Sequence, residues 1–146
     1  NNMSKSNTSE NSLLALIFNA TTFNGLAEND TTSPNTDLYL ALHTADPGEA
    51  GTQDTSEATY TSYARIAVAR TTGGWDAPSG GATANAALAQ FPQCTGGTNT
   101  ITHVSIGLLS SGAGTILYSG ALNASLSVAN LIQPQFAAGA LTVTED

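Results

Sequence analysis

A chain of 146 residues with a net charge of −8 and only three basic residues, Lys5, Arg65 and Arg70, cannot build a nucleic-acid footprint, which commonly takes about six to ten phosphate contacts. Anionic membrane surfaces are disfavoured for the same reason, and no run nears the roughly 20 apolar residues of a membrane span. Ser and Thr number 35 against 14 charged residues, a balance that suits Thr-faced antiparallel sheets better than helical bundles with Glu and Lys surfaces.

Residues 1–11 are polar and aperiodic and read as a flexible arm, leaving 12–146 as a single domain. The arm does not have the charged-then-apolar order of a secretory signal. Leu13, Leu14, Ile17 and Phe18 recur at helical spacing, with Ser9 or Ser12 to cap the start and Asn24-Gly25 to stop the helix. A polar loop over 26–36 contains Pro34. In the strand Asp37–His43, Leu38, Leu40 and Leu42 point one way, and Tyr39, Ala41 and His43 the other. The loop 45–59 carries Asp46, Glu49, Asp54 and Glu57. Tyr63–Arg70 alternates again, with Ile66 and Val68 inward and Arg65 and Ala67 outward. A Gly-rich connection over 71–81 surrounds Trp75. Thr83–Phe91 is Ala-rich and tightly bounded by Gly80-Gly81 and Pro92. Thr100–Leu109 is the clearest strand, and Ile116–Ser119, Ala124–Ala129, Pro134–Phe136 and Ala140–Thr144 follow. Turn-length gaps join most of these segments and no crossover helix intervenes. The expected fold is mostly β: a single antiparallel β-sandwich or jelly roll of about eight strands with one short N-terminal helix.

The residues that could carry chemistry are sparse. His43 and His103 are the only histidines and lack a close pair spacing such as His-x-x-x-His, so they read as hydrogen-bonded members of sheet faces, not metal ligands. The acidic loop lacks the Asp-x-Asp-x-Asp-Gly pattern that wraps calcium, and its carboxylates read as solvated. Ser110-Ser111 has no Gly-x-Ser-x-Gly elbow, and Gly112-Ala113-Gly114 reads as a hairpin turn. Cys94 is alone, so no intrachain disulfide forms, and it reads as a small core filler. No catalytic residue, cofactor or metal site is expected. Leu13, Ile17 and Phe18 on the helix, with Tyr60 and Trp75, are the candidate partner-interface residues; the competing reading is that they plug the core.

The series DLYLALHTADPGEAGTQ (37–53), TSYARIAVAR, GGTNTITHVSIG, ILYSGALNASLSV and QPQFAAGALTVTED, in that order, resembles a family of small tailed-bacteriophage virion proteins with tail-fibre-like members. The resemblance implies that Thr83–Phe91 is a strand. It also implies a structural virion protein; the sparse chemistry adds the expectation of no enzymatic activity, and the N-terminus without a signal-like order that of synthesis in the host cytoplasm. The first expectation is a capsid cement or decoration protein on the exterior of the shell. Its partners would be the major capsid protein and copies of itself, as homodimer or homotrimer, and neither nucleic acid nor membrane. The alternative is a tail-fibre or receptor-binding module that recognises a host surface glycan or protein, with Trp75 and the 45–59 loop as its contacts.

Overall fold

In the computed structural model, which describes residues 3–146, Ser6 opens the helix α1 (Asn7–Asn19). Its hydroxyl accepts a hydrogen bond from the Ser9 N–H at 3.3 Å, and Glu10 places a negative charge in the first turn, where the helix dipole favours it. The helix therefore begins inside the stretch expected to be a flexible arm, because the cap lies upstream of both Ser9 and Ser12. It ends ahead of Asn24-Gly25, where Ala20 turns left-handed (φ 53°) and its N–H bonds the Ala15 carbonyl. Glu10, Leu14 and Phe18, spaced by one turn each, form its buried stripe. Arg70 finishes the C-terminus from outside. Its Nε donates to the Ile17 carbonyl and one Nη to the Leu16 carbonyl, each at 2.7 Å, and the other Nη reaches the Asn35 carbonyl at 2.7 Å. Two carbonyls that a helix end leaves orphaned are so satisfied.

Eight strands follow among the described residues: β1 (Asp37–His43), β2 (Ile66–Ala69), β3 (Ala82–Ala84), β4 (Ala89–Gln90), β5 (Asn99–Gly107), β6 (Ile116–Val128), β7 (Gln135–Phe136) and β8 (Thr142–Thr144). With 35% strand and 9% helix the fold is mostly β, as the composition indicates. A four-stranded sheet runs β2-β1-β5-β6, and β3-β8 and β4-β7 form two-stranded ribbons. β1 lies antiparallel to β5 with Leu40 opposite Ile106 and His43 opposite His103. β5 lies antiparallel to β6, with register shifts between Ile101 and His103 and between Ile106 and Gly107.

Of the expected strand Tyr63–Arg70 only Ile66–Ala69 pairs, and two further segments differ from the sequence-based expectation. Ile116–Ser119 and Ala124–Ala129 merge into the single strand β6, and the expected gap becomes a bulge: Ile101 pairs Leu126 while His103 pairs Ala121. Thr83–Phe91 divides at Asn85. That side chain is buried and donates to the Ala87 and Ala137 carbonyls at 2.8 and 2.9 Å, while its oxygen accepts from the Leu141 N–H at 2.9 Å. An amide tied to that turn cannot continue a ladder.

The chain gathers into two compact units. The first comprises the chain up to Thr36 with Ala69–Leu88 and Phe136–Asp146; the second comprises Asp37–Val68 and Ala89–Gln135. Within the first, Phe18 and Trp75 meet edge to face with centroids 4.8 Å apart. Within the second, Leu38, Leu40, Leu42, Phe91, Ile101 and Val128 are fully buried, and Tyr63 stacks on Phe91 at 6.3 Å.

Because three hydrogen bonds from one guanidinium hold α1 and the loop at Asn35, Arg70→Ala is expected to lower stability by about 2 kcal/mol, measured as a reduced urea midpoint at unchanged m-value. An unaltered midpoint would contradict the capping role.

Candidate functional site

The loop 45–59 has an exposed surface and is tied to the second unit through its buried residues Pro47, Gln53 and Ala58. Gln53 within it is completely buried. Its backbone N–H donates to the Gly114 carbonyl at 2.9 Å. Its side-chain amide grips Leu109 at both ends, Nε2 to the carbonyl at 3.2 Å and Oε1 from the N–H at 2.9 Å. Gly107 and Gly114 flank that side chain, and a Cβ on either would collide with it. Arg65 repeats the device. Its Nε and an Nη form a forked pair with Glu57 at 2.8 Å each, and its remaining donors reach the Leu109 carbonyl at 2.9 Å and the Gly112 carbonyl at 2.6 Å. The Tyr63 hydroxyl donates to Glu57 at 2.8 Å and accepts from the Leu42 N–H at 3.0 Å, and burial pushes its pKa up. The Arg65 side chain is only 2% exposed, so this forked pair is a desolvated structural unit whose four guanidinium bonds offset the burial of charge.

The two histidines do come together, opposite each other on β1 and β5. His43 Nδ1 lies 2.8 Å from the Thr55 carbonyl, which can only accept, so Nδ1 carries the proton. Nε2 then accepts from the Ser105 hydroxyl at 2.7 Å. This is the hydrogen-bond order of a serine nucleophile and its base. However, His43 and Ser105 are both 0% exposed, and no substrate reaches that hydroxyl. Burial lowers the His43 pKa from its usual 6.5, against the opposing pull of the Thr55 carbonyl. His103 bonds the Thr102 hydroxyl through Nδ1 at 2.8 Å.

The acidic side chains of the loop diverge. Asp46 accepts from the Gly48 N–H at 2.9 Å, Asp54 from the Thr52 hydroxyl, and Glu57 from Arg65. Among the described residues no group of three or more His, Cys, Asp or Glu stands where it could hold a metal. Cys94 is buried, with Sγ 3.1 Å from the Gly96 carbonyl. The third cation, Lys5, binds Glu145 at 2.8 Å and the Asp146 carbonyl at 2.6 Å. All three cations thus have partners within the chain.

Of the five sequence-predicted interface residues, Phe18, Tyr60 and Trp75 are buried, at 0%, 3% and 0% exposure. With so few large rings in the chain, each is drawn into the interior, where its area stabilises most. Tyr60 donates to the Pro92 carbonyl at 2.8 Å, and burial pushes its hydroxyl up to about 12. Leu13 and Ile17 are half-buried on α1. Trp75 therefore offers no exposed ring to a glycan or protein. The sequence reading passed over Gln53, Ser105 and the pairing of Arg65 with Glu57; the glycines at both ends of the 107–114 hairpin were the available signal. On the first unit, an uncharged groove of about 590 Å³ is lined by the amides and hydroxyls of Asn11, Ser12, Asn19, Thr21, Thr71 and Thr72, with small apolar neighbours.

Gln53→Ala leaves the Leu109 N–H without its acceptor and opens a void between the two glycines. It is expected to cost about 2–4 kcal/mol, measured by denaturant unfolding. A second expectation follows from His43. A lowered folded pKa means that the unfolded chain binds the proton more readily, so the stabilisation is complete above about pH 6.5 and is lost as the pH falls through the folded pKa. Thermal midpoints recorded from pH 7 to pH 5 should fall less steeply in His43→Gln than in the wild type; parallel curves would refute this.

A comparison with curated proteins finds no match. Residues 4–144 match the family described as "Podophage GP4 fiber I protein gp80". That span is nearly the whole chain, so the protein belongs to this family and is a phage virion structural protein.

Proposed function

We propose that the chain is a non-enzymatic block of the virion's fibre apparatus, a rigid module that holds position and presents surface. The carrying observation is the match of residues 4–144 to a fibre protein family. The site geometry supports a holding role. The His43–Ser105 pair is sealed from solvent, and Gln53 and Glu57 of the long loop bind other parts of the chain. Binding of nucleic acid is disfavoured on the same grounds, since Lys5, Arg65 and Arg70 are all engaged internally and the remaining charge is acidic.

A second reading is supported by one observation. The net charge of −8, with every cation tied up, suits a cement protein bound to the major capsid protein on the outside of a shell, away from packaged DNA. Under either reading the contacts are repeated many times on one particle, so individually weak interfaces suffice.

Copy number separates the two. Quantitative mass spectrometry of purified virions, scaled to the portal and major capsid proteins, is expected to give a count in the tens, with antibody label at the tail or fibres. A count near the number of capsid sites, with label over the shell, would overturn the fibre reading in favour of cement.

A further inference from the structure

The groove on the first unit lies between α1 and the 71–78 segment, and its volume of about 590 Å³ is that of a small-ligand site. One wall is a single face of the helix, where Asn11, Ser12, Ala15 and Asn19 follow one another at helical spacing. Eight residues separate the two asparagines, which the helical rise sets about 12 Å apart along the axis. The facing wall is Thr71, Thr72, Ala77 and Pro78.

Each asparagine is anchored through one end of its amide and keeps the other end unused. Asn11 Oδ1 accepts from the Gly81 N–H at 2.7 Å, which leaves both donors of its amide nitrogen. Asn19 Nδ2 donates to the Trp75 carbonyl at 3.2 Å, which leaves its amide oxygen as an acceptor. These two bonds also tie the helix to the facing segment, and the Thr71 carbonyl accepts from the Gly74 and Trp75 N–H groups at 3.0 and 2.9 Å to hold its turn. Between them, the hydroxyls of Ser12, Thr71 and Thr72 have no hydrogen-bond partner among the described residues. The groove thus presents oriented donors and acceptors on walls that are already fixed, so little ordering is needed on binding.

The lining identifies the ligand. None of its ten residues is charged or aromatic. Nothing there neutralises a phosphate, sulfate or carboxylate, and the net charge of −8 repels anions. A peptide would need pockets for anchoring side chains, and Ala15, Ala77 and Pro78 supply only small apolar patches. A molecule whose hydroxyls both donate and accept, with short C–H faces between them, matches amides and free hydroxyls set among such patches. We propose that this groove binds a neutral oligosaccharide of two or three sugar rings, with Asn11 and Asn19 holding its two ends. The inference rests on the fibre reading, because a few solvent-exposed hydrogen bonds hold a sugar weakly and only many copies on one particle make the attachment firm.

Calorimetric titration and saturation-transfer NMR of the whole purified chain test this, with maltotriose, mannotriose, galactotriose and triacetylchitotriose as neutral probes. 3′-Sialyllactose and an uncharged peptide of Gly, Ser and Asn serve as the competing chemistries. The expected result is a Kd of about 1 mM for at least one neutral trisaccharide, and no saturable binding of the other two probes. Ser12→Ala and Thr72→Val each remove a hydroxyl that the fold does not use. Each should weaken binding about three- to tenfold at an unchanged thermal midpoint. Ala15→Leu fills the groove with a good helix former and should abolish binding, with far-UV circular dichroism establishing that the variant is folded. Glu49→Ala, on the exposed part of the 45–59 loop, should leave binding unaltered. No saturable binding of any neutral trisaccharide at about 10 mM overturns the proposal. Preference for the sialylated sugar or the peptide, or binding that survives Ala15→Leu, overturns it as well. Copy number and label position test the fibre reading separately, so a tail-located chain that binds no sugar refutes the groove alone.

Discussion

The buried amide of Gln53 is the constraint on which the second unit depends. A glutamine with no exposure must satisfy its donor and acceptor inside the protein, and this one does so on a single residue, Leu109, at the start of the 109–114 turn. The consequences run in both directions along the chain. Gly107 and Gly114 must lack side chains to leave room for it. The long loop must pass over the β5–β6 hairpin, and the Arg65–Glu57 fork then holds the same hairpin through the Leu109 and Gly112 carbonyls. A segment that reads as a mobile acidic loop is in this way converted into a strap, and its position sets the Thr55 carbonyl that fixes the tautomer of His43.

The first unit solves a parallel problem with Arg70. The C-terminal carbonyls of a helix need donors, and three bonds from one guanidinium supply them to Leu16, Ile17 and Asn35. Arg65 and Arg70 are thus structural devices of the same kind, each gathering backbone carbonyls from distant parts of the sequence. Their use inside the protein accounts for a surface that is acidic over part of the chain and uncharged over the rest. Such a surface favours contacts made through shape and backbone over those made through ion pairing.

The periodic features were legible from the residues. Alternation in Leu38–Leu42 and the spacing of Leu14 and Phe18 correspond to buried positions of β1 and α1, and in β2 half-buried Ile66 and Val68 alternate with exposed Ala67 and Ala69. The match of residues 4–144 agrees with the resemblance at the level of a phage virion, tail-fibre-type family. What escaped were effects of single polar atoms across long sequence separations. Asn85 ends a strand that its Ala-rich neighbours would continue, and Gln53 ties down a loop whose carboxylates Asp46, Glu49 and Asp54 are exposed as its composition indicates; neither has a local periodic signature. The break between Ile116–Ser119 and Ala124–Ala129 was visible as a weakness in pattern, but a bulge and a turn leave similar traces in a sequence. The aromatic residues left two readings open for a different reason. An exposed anchor and a core plug have the same composition, and only packing separates them, as Trp75 and Tyr60 show.

Native-state hydrogen exchange of the 45–59 strap is the most direct measurement of the central claim. If Gln53 locks this segment to the hairpin, the amides of Gln53, Ala58 and Leu109, bonded to Gly114, Leu42 and the Gln53 side chain, should exchange only with opening of the second unit as a whole. They would then share the protection of the paired strands β1 and β5. Exchange of these three amides at rates near those of an unstructured peptide, while β1 and β5 remain protected, would contradict it.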